Sequence, residues 1–507
     1  MTETERVINI IEEGARNRIS LSEFINIQIE EFEKSDVYKE MLIGDKYAQN
    51  KSDIEQKKRT YIDENGNECE AKHFNNSKVK YPVVVKLTNQ KKGYLLKRKM
   101  TIGESVEDGQ KVDKEYNKLL NSFFNNRKHK MLKNTLNKSV TNGIAWWYLF
   151  IDNTELKAKL RYGQEIIPLW ADREHESLDA VIVRYYITNY TKLKGKELIE
   201  KVEYHDFDGV RFYIRQAGKL LQDSDKIQEN MELFIKYDEE NNPIFANFKV
   251  GEELKTWEKI PFVYFKYNSE EQPLIHFIKS LVDELEKLKS AVSDKLIDNV
   301  DGIHTVKGYT GEVEKFQKNL QTFKTIFLDD NGEYDYKQGS IDIEAFKSAI
   351  EQLRKDIFDI GAGVDTESDK YGNQQSGVAL KQLFNDLDLD CSNIEAEYQS
   401  SLEYFMFFFN TWNSLIHSKD YSEKQVEFIF NKSMITDETA KISDCKNSEG
   451  VVSKRTILAN HPYVKDVDKE LQLLKQEEQQ ELEEAMGDYN KLTHKKNENG
   501  DVDDDEE

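Results

Sequence analysis

The chain has 507 residues, 38% of them hydrophobic and 33% charged, which allows about three structural units with sizeable cores. Its 72 basic and 95 acidic residues give a formal net charge of -23. That excludes a protein whose whole surface clamps nucleic acid, since tight phosphate binding needs positive surface, but not one that DNA must slide past. Three scattered cysteines, Cys69, Cys391 and Cys445, form no CxxC pair and fit a reducing compartment. The start Met1-Thr2-Glu3-Thr4-Glu5 lacks the basic and apolar regions of a signal peptide. The most apolar run, Leu402 to Ile416, is too short and too polar to span a bilayer, so a soluble chain with no membrane partner is expected.

Leu21, Ile25, Ile29 and Phe32 predict a first helix, followed by a polar loop over about 49–80. Tyr81 to Leu87 looks strand-like, a segment around Gln90 to Leu96 follows, and a single helix is expected from Asp113 to Ser139. From Ile144 to Tyr267 the chain becomes short Val-, Ile-, Tyr- and Phe-rich runs parted by Asn, Asp and Gly turns, which predicts antiparallel sheet. Pro273 opens a helix of about 25 residues, with an apolar stripe from Leu274 to Leu296 and Asp283, Glu284 and Glu286 on its other faces. A compact insert comes next: a short helix over 312–320, a strand over 325–328 and a hairpin signal at Asn331-Gly332. Residues 341–360 are helical again, with Phe346, Ile350, Leu353, Ile357 and Ile360 on one side, and the two flanking helices can run antiparallel. Gly361-Ala362-Gly363 breaks this helix, and a polar loop leads to a long Pro- and Gly-free stretch, Val378 to Ser418. Val426 to Phe430 suits a returning strand; Ser453 and Asp466 are candidate caps of two last helices; from about 490 the composition is that of a disordered acidic tail. The whole is an α+β chain.

Enzymatic signatures are missing: no Walker A loop, no HExxH, no Gly-x-Ser-x-Gly. Asp386, Asp388 and Asp390 alternate, which puts them on different sides of a helix and favours a solvated or interface face over a shared metal. Asp365, Glu367 and Asp369 match the start of a calcium loop, but Lys370 stands where the turn glycine belongs. The block Tyr404, Phe405, Phe407, Phe408, Phe409 and Trp412 is better core than base-stacking platform, because consecutive aromatics point around a helix. Neither a cofactor nor a metal is expected.

The order of parts resembles the portal proteins of long-tailed (siphovirus-type) bacteriophages. Lys259-Ile260-Pro261-Phe262-Val263 with Gln272-Pro273-Leu274 is similar to that family's entry into its stem. Gly363-Val364-Asp365 and Gly372-Asn373-Gln374-Gln375-Ser376-Gly377-Val378-Ala379-Leu380-Lys381 is similar to its tunnel loop, with one more residue than the family pattern between Gly372-Asn373 and Ser376-Gly377. Gly450-Val451-Val452-Ser453 through Glu470 resembles its carboxy-terminal pattern, and Leu87 to Leu96 a weaker segment; Phe430 to Met434 lacks the family's Arg and Pro. The resemblance spans about 87–475.

It implies a dodecameric ring without covalent chemistry, located at the capsid portal vertex of the virion and in host cytoplasm during assembly. The implied parts are a wing over 1–272, stem helices over 273–298 and 341–362 and a clip over 299–340. A tunnel loop would occupy 363–377, a long helix with returning wing strand 378–443, a crown 444–489 and a disordered tail 490–507. Implied partners are double-stranded DNA held without sequence readout, terminase, a head–tail adaptor, and major capsid and scaffolding proteins. Lys370, Asn373, Gln374 and Gln375 would face DNA, Gly361, Gly363, Gly372 and Gly377 would be hinges, and Asp330, Asn331 and Gly332 would mark the clip's partner surface. A disordered connector without DNA contact is the alternative for the loop. For the chain, the alternatives are a helical scaffold or adaptor protein of an assembly without a DNA channel, and a metal-dependent nuclease using Asp386 to Asp390.

Overall fold

The computed structural model describes residues 19–63, 65–71, 75–105, 112–191, 195–298, 303–307, 331–337, 342–367, 382–432 and 438–461, with isolated positions at 4, 312 and 463–479. The chain divides into a larger unit, Met1–Ser368 with Phe384–Ser433, and a smaller one, Asp369–Leu383 with Met434–Glu507.

In the larger unit, α1 (Leu21–Lys34) and α2 (Asp36–Ala48) come first. Ser20 and Glu23 cap α1 reciprocally, and Ser35 closes α1 and caps α2. The expected loop over 49–80 contains a 3-10 turn at Asp53–Gln56 and a hairpin of β1 (Thr60–Ile62) and β2 (Glu68–Glu70). The strand expected at Tyr81 to Leu87 is instead the first half of α3 (Val83–Leu96). Val83-Val84-Val85 has strand propensity, but Pro82 presets the helix entry and Val83, Val84, Leu87, Leu95 and Leu96 all bury in one core; burial overrides propensity. After β3 (Thr101–Glu104), the single helix expected over 113–139 is two, α4 (Lys114–Phe123) and α5 (Asn126–Asn142). Asn125 parts them by turning its side chain onto the amides of Arg127 and Lys128.

The sheet-rich region holds β4 (Ile144–Asp152), β5 (Glu155–Tyr162), β6 (Ile166–Trp170), β7 (Leu178–Thr191), β8 (Gly195–Asp206), β9 (Gly209–Gln216) and β10 (Lys219–Gln222). A short α6 (Ser224–Glu229) precedes β11 (Phe234–Tyr237), β12 (Pro243–Phe245), β13 (Phe248–Val250), β14 (Glu253–Lys255) and β15 (Phe262–Lys266). All pairings are antiparallel, as expected: β11-β12-β9-β8-β7-β6 with β10 beside β9, and a separate β15-β4-β5. Alternation along each strand builds layers. Ile25 and Ile29 of α1 pack on Ile167, Ile182 and Val202 of the large sheet. Its opposite face, through Ile166, Val181 and Val183, meets Trp146, Phe262 and Tyr264 of the small sheet. Trp147, Val263 and Phe265 point the other way, into the main core. Both faces of β4 and β15 are therefore buried, which is why they read as unbroken apolar runs.

The rest of the larger unit is α7 (Leu274–Asp298), β16 (Ile303–Lys307) paired with β17 (Glu333–Lys337), α8 (Ile343–Ile360), α9 (Asn385–His417) and β18 (Val426–Ile429), which returns to pair with β3. The α7 and α8 boundaries agree with the periodicity. The Lys295 ammonium lies 4.6 Å from the Phe346 ring centre, so the end of α7 adjoins the start of α8, an antiparallel pair. Ile360, expected on the apolar side, is exposed. Asn331-Gly332 leads into β17; the helix and strand expected at 312–328 lie outside the described residues apart from Glu312. The aromatic block is core, as expected: Phe405 packs against Trp147, Phe408 against Trp257, Phe409 against Tyr116 and Trp412 against Phe248.

Glu286, read as lying off the apolar stripe of α7, is buried, and so are Ser290 and Asp294. These residues, four apart, take the amides of Tyr81 (2.7 Å), Val79 (2.9 Å) and Ser77 (2.6 Å), and Lys57 pairs with Asp294 at 2.8 Å. The apolar stripe of α7 thus gives way to a polar ladder that straps an extended segment along it.

In the smaller unit, α10 (Glu438–Asn447) precedes α11 (Lys454–Asn460). Ser453 caps α11 through the Thr456 amide and the helix stops at His461, before a proline, as expected. Asp466 and the acidic tail lie outside the described residues.

Candidate functional site

The described part of the polar loop is its root, Gly361 to Glu367, and the root is held by α3. Helix α8 ends in a Schellman turn, with the Gly363 amide on the Phe358 carbonyl (2.8 Å) and the Ala362 amide on the Asp359 carbonyl (3.3 Å). The left-handed position falls on Ala362, at φ +46°, between two glycines. Packing, not φ, is what favours glycine at 361 and 363. A Cβ at Gly361 would lie 2.7 Å from Leu87 Cδ1, and one at Gly363 would lie 2.1 Å from Leu87 Cδ2 and 2.9 Å from Gln90 Oε1.

Lys91 is fully buried. Its ammonium donates to the carbonyls of Gly361 (2.8 Å) and Ala362 (3.1 Å) and to Asp390 Oδ2 of α9 (2.8 Å). A buried cation is thereby placed where the carbonyl end of α8 concentrates negative partial charge. Tyr267 donates to the other Asp390 oxygen at 3.1 Å; burial first, then that carboxylate, pushes the Tyr267 hydroxyl upward. One residue earlier, Gln90 donates to the Val364 carbonyl (2.7 Å) and accepts the Val364 amide (3.0 Å), as a neighbouring strand would. Arg354 reaches Asp365 at 3.0 Å and Glu367 at 2.9 Å.

Chain segments from 86–94, 354–367 and 388–391 are thus locked together by buried polar groups. Asp388 and Asp390, expected on solvated or interface faces, are tied inward: Asp388 accepts from Tyr94 (2.9 Å) and lies 3.6 Å from Lys432. Asp386 stays exposed. Among the described residues no group of three or more His, Cys, Asp or Glu is placed to hold a metal ion, and no helix is long and apolar enough to cross a membrane. Asp365 and Glu367 already share an arginine.

Of the loop residues singled out in the sequence, Gly361 and Gly363 lie in this root; Lys370, Gly372, Asn373, Gln374, Gln375 and Gly377 lie outside the described residues, as does Asp330. Asn331 is exposed and Gly332 partly so, immediately before β17. Sequence reasoning missed the roles of Gln90 and Lys91 and weighed Asp390 only as part of an alternating acidic run. The available signal was a lysine at a core position, on the face of α3 that carries Val84, Leu87, Thr88 and Leu95.

The model of the family described as "Phage portal protein, SPP1 Gp6-like" matches residues 33–484. The portal protein of Bacillus phage SPP1 is 25% identical over 487 residues, covering 95% of this chain and 92% of that one. The portal protein of Clostridium phage phiCD119 is 26% identical over 406 residues, covering 75% and 82%. Among solved structures, the neck of a native GTA particle computed with C12 symmetry aligns with 75% of this chain and 90% of its own at 9% identity and a TM-score of 0.34, too low to bear weight. The match runs through both sheets, the helix pair, the loop root and α9, and with it the chain belongs to the SPP1 Gp6-like family of phage portal proteins.

Proposed function

We propose that twelve copies of this chain form the ring at one capsid vertex through which phage DNA is packaged, retained and ejected. The α7–α8 pair would be its stem, 299–340 its clip and 363–377 the loop that lines the channel. The sheets before 273, with α9 and β18, would form the wing and 444–489 the crown. The clip, around Asp330, Asn331 and Gly332, would receive terminase during packaging and a head–tail adaptor afterwards, while capsid and scaffolding proteins meet the ring during assembly in the host cytoplasm. The chain would need no cofactor and would catalyse no covalent step.

The observation that carries the loop's part is its root. A segment that bends against a moving duplex must be fixed where it leaves the scaffold, and Lys91, Gln90 and Asp390 fix 361–364 to two helices. Beyond the root, Lys370, Asn373, Gln374 and Gln375 offer one cation and neutral amides, which suit backbone contacts without sequence readout. The strongly acidic bulk keeps DNA from sticking. Gly372 and Gly377 would set where the loop bends, whereas Gly361 and Gly363, expected as hinges too, lie in the clamped root.

Replacing Lys370, Gln374 and Gln375 together by alanine should leave rings intact but make filled capsids lose DNA. Normal packaging and retention in that variant would overturn the loop's role. Negative-stain images of the purified chain should show closed rings with an axial hole; open filaments or bundles would point to the scaffold reading.

A further inference from the structure

Although the chain is acidic overall, two stretches hold no carboxylate at all: residues 89–100 and 121–142, each with five Lys or Arg. The fold puts the end of the first beside the start of the second. Lys99, just past the end of α3, lines one crevice with Lys128 and His129 of α5. Lys91 and Lys138 are spoken for, by the loop root and by Asp45. The others, among them Lys92, Lys99, Arg127, Lys130 and Lys133, have no ion pair among the described residues.

These cations act on one another. Lys92 is pushed downward by burial and then by Lys133; His129 by burial, then Lys133 and Lys99; Lys128 to about 8 by burial and then Lys157. No carboxylate relieves any of the three. The placement also works against the helix. α5 begins with Arg127, Lys128 and Lys130 and has no acidic residue in its first turn, whereas α1, α2, α4, α8 and α9 all do. Cations at a helix amino end oppose its dipole, so folding gains nothing from them there.

We propose that the adjoining ends of α3 and α5 form a phosphate-binding surface, separate from the polar loop, that takes the backbone of duplex DNA without reading its sequence. The portal reading enters only as the reason DNA is at hand. The crevice lined by Lys99, Lys128 and His129 has room for about one water molecule, so it offers no seat for an anchoring side chain. An acidic peptide would need such an anchor to be held specifically, whereas a regular row of phosphates needs only spaced cations.

The test is the purified full-length protein titrated against a fluorescent duplex over a series of salt concentrations. Lys99→Gln, Arg127→Gln and Lys130→Gln together should weaken binding at low salt at least tenfold. They should also flatten the slope of log K against log salt by about 0.9 for each phosphate that is no longer neutralised, with ring formation and circular dichroism unchanged. Unchanged affinity and slope overturn the proposal. So does displacement of the duplex by a peptide of residues 496–507 at an equal or lower concentration of charge, which would make the surface a receptor for acidic chain. The Lys370, Gln374 and Gln375 variant is titrated beside it. Loss of binding confined to that variant rejects the α3–α5 surface, and loss confined to the α3–α5 variant leaves the loop to its own packaging test.

Discussion

Two helices in the larger unit each hold a piece of irregular chain by buried polar groups, with opposite chemistry. α3 holds 361–364 by presenting donors, chiefly the Lys91 ammonium, to carbonyls. α7 holds 77–81 by presenting acceptors, Glu286, Ser290 and Asp294, to amides. The difference follows from what each segment exposes. The first is the end of a helix, whose last carbonyls have no partner of their own. The second is extended, and alternate residues turn their amides to the same side. Four residues of helix rise about 6 Å and two of strand about 6.6 Å, so acceptors at every fourth position of α7 stay in step with every second amide of the strap. A cationic clamp fixes a point, while a ladder of acceptors fixes a direction.

Lys91→Met should have the largest effect, since it leaves Asp390 without its cation, with only the Tyr267 hydroxyl as partner, and two carbonyls without their donor. Breaking a buried pair on one side costs about 3–5 kcal/mol. Because Asp390 keeps some access to water, the lower end of that range is expected. The measurement is denaturant unfolding, together with hydrogen exchange of the Val364 amide, which should quicken. Adding Asp390→Asn should restore part of the loss. If the double variant is no better than the single one, Lys91 is a packing residue and the clamp picture fails.

How much of this was legible in sequence depended on whether apolar spacing carried it. The α7 and α8 helices, the aromatic face of α9 and the antiparallel strands followed from periodicity, because apolar burial dominates there. The two clamps did not, because each is a polar residue at a core position whose partner is distant in sequence: Lys91 with Asp390, Glu286 with Tyr81. Val83-Val84-Val85 compounded this, since its strand propensity hid the helical spacing that makes Lys91 conspicuous. The break at Asn125 was missed for a different reason: asparagine is common inside surface helices, and only the cap geometry separates α4 from α5.

The ladder on α7 should be weaker than the Lys91 clamp and should depend on acid. Burial acts to raise the Asp294 carboxyl, but hydrogen bonds from Lys57 and Ser77 outweigh it, so its folded value lies below the usual one. Its contribution is therefore present above the unfolded value near 4 and lost as pH falls through the lower, folded value. For Glu286 burial outweighs the hydrogen bonds and the folded value is raised, so its proton is taken up with a gain in stability as pH falls. Asp294→Asn should cost about 1.5–3 kcal/mol at neutral pH, as expected for hydrogen bonds to a charged group. It should also flatten the fall in stability below pH 4. An unchanged acid limb would mean that other carboxylates govern it, among them Asp53, held at about 2 by Lys279 and Lys46 against the effect of burial.

The smallest effect is expected at Gly363, where side-chain atoms of Leu87, Gln90 and Phe358, and no backbone, stand in the way. The Cβ of Gly363→Ala would meet Leu87 Cδ2 and Gln90 Oε1, both at side-chain tips on α3. Crowding of this kind typically costs about 1–3 kcal/mol, and movable tips place it at the low end. The collision is with Leu87 first, so the same substitution should cost less in a Leu87→Ala background, although Leu87→Ala alone costs about 2–5 kcal/mol by emptying a core position. Residues in contact usually couple by about 0.5–3 kcal/mol, and the thermodynamic cycle should give a coupling of this sign. Strict additivity would show that the root of the loop moves away from α3 as a body and that Lys91 and Gln90 do not hold it in place. A favourable coupling, with the Val364 amide still protected, would show that the donor clamp holds its point while the packing around it gives.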